Sequence, residues 1–164
     1  MPTTHPLELM VIEDNTGDFK LLEHAARLSG LLSAIELIHF ADGESSAEFL
    51  QTQQTNQKKL PDLIFLDIQL PRMSGFDVLN QMKRNEILHA IPVFMFSNSS
   101  GERDILMSKE LGASGYIQKP IDFNELIQLC DLIRKSMLDN PDDNPAGVVK
   151  CLQQTPMNLF QSLS

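Results

Sequence analysis

Cysteine is nearly absent. Cys130 and Cys151 lie far apart and form no Cys-x-x-Cys pair, which excludes a disulfide framework and a thiolate zinc site; Cys130 reads as a small buried apolar residue. Long apolar runs are missing as well. No stretch approaches the roughly 18 uninterrupted apolar residues of a spanning helix. Met1 to Pro6 lacks the basic start and apolar middle of a signal peptide, so a cytoplasmic protein is expected. Clustered positive charge is the third absence. Against 22 acidic side chains stand 13 basic ones, a net charge of -9, which argues against a direct nucleic-acid or anionic-membrane surface and favours protein partners and cations. There is no internal repeat and no Gly-rich phosphate loop. His5, His24, His39 and His89 fall on a terminus, a helix, a strand and a loop with no His-x-x-x-His spacing, so a metal hydrolase or a phosphohistidine carrier is not indicated.

What is present is an alternation. The chain has 164 residues with 42% apolar and 21% charged, enough for one core-forming domain and a tail. Apolar runs of strand length at Leu7 to Ile12, Ala34 to Phe40, Leu63 to Leu66, Ile91 to Phe96 and Gly115 to Gln118 alternate with amphipathic stretches of helix length. That is the pattern of an α/β protein with a parallel sheet and crossover helices. Asn15 or Thr16 can cap the first helix, and the last places Phe123, Leu126, Ile127, Cys130, Ile133 and Met137 on one face. Five βα units are complete by residue 138. From Asp139 to Gly147 turn formers and like charges predict a linker. Val148 to Phe160, interrupted by Pro156, is too short for its own core and reads as a frayed tail, or else as a segment that docks on this domain or on a neighbouring copy. No output domain is expected after residue 138.

The ends of the strand-like runs carry the chemistry. If the runs are neighbouring parallel strands, Glu13, Asp14, Asp67, Ser97 and Lys119 meet at one carboxyl edge, where open α/β sheets place their ligand sites. Each alone has a dull explanation: a solvated loop acid, a helix cap, a turn hydroxyl, a surface charge. Together, three carboxylates would repel by roughly 4 kcal/mol per close pair at an effective dielectric near 20. A hard divalent cation with oxygen ligands, Mg²⁺, and the Lys119 ammonium would balance them. With that charge in place, an Asp67 carboxylate can attack a phosphoryl group held in line. The product would add roughly 1.5 to 2 negative charges at the sheet edge. Ser97 can donate to it, and a hydroxyl drawn toward the phosphoryl group would leave space for Tyr116 to turn inward and alter the outer face. An Asp-x-Asp phosphatase is disfavoured because Gln69 stands where the second aspartate would act. A passive interaction module is disfavoured by the intact acidic pair, Asp67 and Lys119.

These residues, with Pro71 and Gly75 behind Asp67 and Pro120 after Lys119, resemble the receiver domains of two-component response regulators over about residues 6 to 138. The steps from Asp67 to Ser97 (97 minus 67, 30 residues) and from Ser97 to Lys119 (119 minus 97, 22) agree with that family. The resemblance implies a flavodoxin-like, doubly wound five-stranded parallel sheet in the order 2-1-3-4-5 with five helices. It implies Mg²⁺ held by Asp14, Asp67 and the backbone carbonyl of Gln69, with Glu13 acting largely through water, and a cis peptide between Lys119 and Pro120. It also implies a sensor histidine kinase as donor to Asp67 and a homodimer; the partner downstream would be an unidentified protein or a histidine phosphotransfer protein. The protein would then be a switch rather than an enzyme, catalysing only its own phosphotransfer and slow dephosphorylation. Asn98 departs from the family, which usually has a small residue there, and its bulk is expected to narrow the access of a phosphodonor or of water to Asp67. The polar loop before Pro61, the Ser97 to Ser100 cluster and the C-terminal extension are similar to the small regulators that serve bacterial and cyanobacterial phytochromes.

Overall fold

The five apolar runs become five parallel strands: β1 (Leu7–Ile12), β2 (Ile35–Phe40), β3 (Leu63–Leu66), β4 (Val93–Ser97) and β5 (Gly115–Gln118). The computed structural model describes residues 5–163. Strand order is β2-β1-β3-β4-β5, with every neighbouring pair parallel. The three central strands are buried on both faces, which is why they read as nearly continuous apolar runs rather than alternating ones. β4 begins at Val93 rather than Ile91 because Pro92 has no N–H to give the ladder; its carbonyl instead accepts from the Ile64 N–H at 3.0 Å.

The crossovers are α1 (Thr16–Leu28), α2 (Gly43–Thr55), α3 (Gly75–Lys83) and α4 (Glu102–Glu110), and α5 (Phe123–Asp139) follows β5. Because successive strand residues point to opposite faces, β1 sends Leu7, Leu9 and Val11 into one core, with Leu22 of α1 and Leu129 of α5. Met10 and Ile12 enter the other, with Leu50 of α2, Leu79 of α3 and Ile105 of α4. Asn15 is the cap of α1, its side chain accepting from the Asp18 N–H.

A sixth helix, α6 (Ala146–Gln154), forms where a linker and tail are expected, preceded by a 3-10 turn at Pro141–Asp143. It needs no core of its own. Val148 and Leu152, four residues apart and so on one helical face, are fully buried and join the α1 and α5 side of the core. α6 ends at Gln154, just before Pro156, and a final 3-10 turn (Leu159–Ser162) lies against β5 and α4. Asn158, 3% exposed, fixes that turn. Its Oδ1 accepts from the Tyr116 N–H at 3.0 Å and from the Phe160 N–H at 3.2 Å, and its Nδ2 donates to the Gln153 carbonyl at 3.0 Å. The tail therefore docks on the outer edge of β5 within the same chain.

Candidate phosphoacceptor site

Parallel pairing brings the carboxyl ends of β1, β3, β4 and β5 to one edge, and the polar residues that follow them converge there. Asp67 leaves β3 with its N–H donating to the Ile12 carbonyl at 3.0 Å, which sets it beside Glu13 and Asp14. Carboxylate oxygens of Glu13, Asp14 and Asp67 all lie within 4.8 Å of one another. This close set of hard oxygen donors suits a divalent cation of the Mg²⁺ kind. Glu13 and Asp67 are buried and Asp14 is exposed, so the cluster opens on the Asp14 side.

Lys119 enters from β5 and is 7% exposed. Its Nζ donates to Asp67 Oδ2 at 3.0 Å and to Asp18 Oδ2 at 3.0 Å, and it also pairs with Glu13 Oε2. Burial opposes its charge, but the bonds to Glu13 and Asp18 and the field of Asp67 outweigh that and raise its pKa, so the side chain is an ammonium. Burial is also the largest influence on Glu13, whose carboxyl rises to about 7 against the opposing pull of Lys119 and of the Asn15 N–H. Both Glu13 oxygens are engaged, Oε1 by that N–H at 2.9 Å and Oε2 by Lys119.

Gly75 explains how the loop after Asp67 stays close. A Cβ at Gly75 would sit 2.1 Å from the Asp67 carbonyl oxygen, so only glycine lets the start of α3 approach the acceptor residue. Its N–H donates to the Ile68 carbonyl at 2.9 Å. Gln69 is exposed in this loop, its N–H donating to Asp67 Oδ1 at 3.3 Å. Ser97 ends β4 and is buried, and its carbonyl accepts from the Lys119 N–H at 2.8 Å.

Two expectations are corrected. Lys119–Pro120 is not cis; the cis peptide among the described residues is Asn144–Pro145. The two isomers of an X–Pro bond differ by only about 0.5 to 1 kcal/mol, so Pro120 permits the cis form without demanding it. Tyr116 is already turned inward, fully buried, its hydroxyl donating to the Ser99 carbonyl at 2.7 Å. That bond ties the phenol to the loop before α4, so the ring already holds the inward position that was expected only after phosphorylation.

Sequence reasoning missed two contributors. Asp18 touches Lys119 from α1, and His39 at the end of β2 sets Nε2 2.8 Å from the Glu13 carbonyl while stacking on Phe19. Neither has a motif of its own; the strand order that places β2 and α1 beside β1 is the signal.

The family profile described as "Response regulator receiver domain" matches residues 9–131. Response regulator Rcp1 of Synechocystis sp. is 31% identical, over 82% of this chain and 90% of its own length. The probable methanogenesis regulatory protein FilR2 of Methanothrix harundinacea is 30% identical, over 86% of this chain and 90% of its own. Among solved structures, the phosphorylated cyanobacterial phytochrome response regulator RcpA has a TM-score of 0.72 at 30% identity, covering 83% of this chain and 96% of that one. The Mn²⁺-bound form of Rcp1 has a TM-score of 0.69 at 30% identity, covering 82% and 96%.

Proposed function

The chain belongs to the response regulator receiver domain family, and from that premise we propose that Asp67 accepts a phosphoryl group from a sensor histidine kinase and that the phosphorylated state is read through Ser97, Lys119 and Tyr116. One observation carries this reading: a buried ammonium bonded to Asp67, itself one of three carboxylates whose oxygens lie within 4.8 Å of one another. In the transfer, the N–P bond of a kinase phosphohistidine breaks as an O–P bond to Asp67 forms. Lys119 stabilises charge on the transferring oxygens and Ser97 donates its hydroxyl to one of them. Asp14, Asp67 and the Gln69 carbonyl would hold Mg²⁺, with Glu13 supporting it, and the ion would supply the remaining positive charge.

A phytochrome-type kinase as donor rests on the likeness to RcpA, which is described as a phytochrome response regulator. The signal leaves through the surface around α4, β5 and α5, where Tyr116 joins two regions. Its hydroxyl holds the loop after Ser97 and its N–H holds the tail. The receiver is proposed to act in the cytoplasm, as a homodimer, on a downstream protein or a histidine phosphotransfer protein. No described helix is long and apolar enough to cross a membrane.

The test is phosphotransfer from an autophosphorylated cognate kinase. Asp67→Asn is expected to abolish labelling. A variant that still takes phosphate in an acid-stable form removes the reading.

A further inference from the structure

Helices α1 and α3 both begin with an aspartate at the third helical position, and the two are used differently. In α3, Asp77 reaches back to the Ser74 N–H at 3.0 Å while the Ser74 hydroxyl accepts from the Asp77 N–H, the reciprocal capping box. In α1 the cap Asn15 accepts from the Asp18 N–H at 3.0 Å, but the Asn15 N–H is taken by Glu13 Oε1. The Asp18 carboxylate is thereby released from capping and bonds Lys119 Nζ at 3.0 Å.

An ammonium has three N–H donors, and Lys119 meets three carboxylates: Glu13, Asp18 and Asp67. It has no donor left for an incoming group. A phosphoryl group on Asp67 brings oxygens that need one, so one partner must yield. The Glu13 side chain is 4% exposed and would be left buried without its cation, and the Asp67 bond runs to the very residue that carries the phosphoryl group, so neither can exchange its bond for water. Asp18 is 31% exposed and can exchange the bond for water. It also lies outside the carboxylate cluster suited to a cation.

We infer that Asp18 is a positioning residue that holds the third donor of Lys119 in the resting state and releases it to the phosphoryl group, so that every phosphorylation event works against the Asp18–Lys119 bond. This deepens the phosphoacceptor reading and rests on it. Asp18 sets how far the resting state resists phosphorylation, without touching phosphorus.

The experiment measures binding of Mg²⁺ alone, and of beryllofluoride in saturating Mg²⁺, to the full chain by calorimetry. Asp18→Ala and Asp18→Asn are expected to tighten beryllofluoride binding about 3- to 10-fold, because removing the competitor frees the donor and removes one repelling charge. Both are expected to leave Mg²⁺ affinity equal or up to about 3-fold weaker, the opposite sign, since a nearby negative charge favours a cation. Asp122→Asn is the charge control. Asp122 shares a groove with Lys119 without bonding it, and asparagine still caps α5, so affinity should stay within about 2-fold. Unchanged or weaker beryllofluoride binding in both Asp18 variants overturns the inference alone, as does equal tightening in Asp122→Asn. No binding of beryllofluoride by the native chain removes the phosphoacceptor reading itself.

Discussion

At the carboxyl edge of the sheet, three carboxylates converge on the Lys119 ammonium; away from it, the tail is held by two buried aliphatic side chains on the α5 side of the core and by one buried amide at the outer edge of β5. The first region is built from charges that cannot be buried without one another. Each residue there implies a partner of opposite sign, so a few residue types at fixed spacing announce the whole. The second is built from burial, and an apolar residue such as Leu152 is satisfied by any apolar neighbour. Its partner follows only from knowing where α5 and β5 lie.

Breaking the first region should have the larger effect. Gly75→Ala places a methyl group against the Asp67 carbonyl oxygen, 2.1 Å from its ideal position. Backbone, not a flexible side chain, must then give way. We expect a loss of about 4 kcal/mol or more in denaturant unfolding, in the range reserved for core overpacking and strain. The variant should also lose phosphorylation in any fraction that stays folded. Normal phosphorylation in a stable Gly75→Ala chain would show that the loop does not set the acceptor geometry.

The second region should lose stability but keep its chemistry. Leu152→Ala removes a fully buried side chain between α6 and the α5 side of the core. Such truncations cost about 2 to 3 kcal/mol where the cavity collapses in part. Because the described residues of the tail contribute no side chain to the carboxylate cluster, phosphoryl acceptance should remain close to that of the native chain while the tail becomes open to proteolysis. Equal losses of stability and acceptance would mean that the two regions are one cooperative unit.

The same contrast explains what could be read in advance. β1, β3 and β5 match their apolar runs residue for residue, because buried parallel strands must be apolar on both faces. Glu13, Asp14, Asp67, Ser97 and Lys119 were legible as a constellation because each ends or follows a strand at the same edge. Asp18 was not, since an aspartate three residues into a helix is ordinarily a capping residue. α6 was hidden because a stretch too short for a core of its own gives no sign that a neighbouring helix will complete it. Asn158 was hidden further still. Asparagine is a common turn residue, and its role here, closing the Tyr116 N–H of an edge strand, exists only once the tail has docked.

The central claim is that Asp67 is where phosphorus arrives. The most direct measurement is to incubate the native chain with a small phosphodonor, with and without Mg²⁺, and to locate the modification by peptide mass spectrometry. A Mg²⁺-dependent, acid-labile phosphoryl group on the peptide that contains Asp67 is the predicted result. A modification on a histidine or hydroxyl peptide instead, or a metal-independent one, would contradict it.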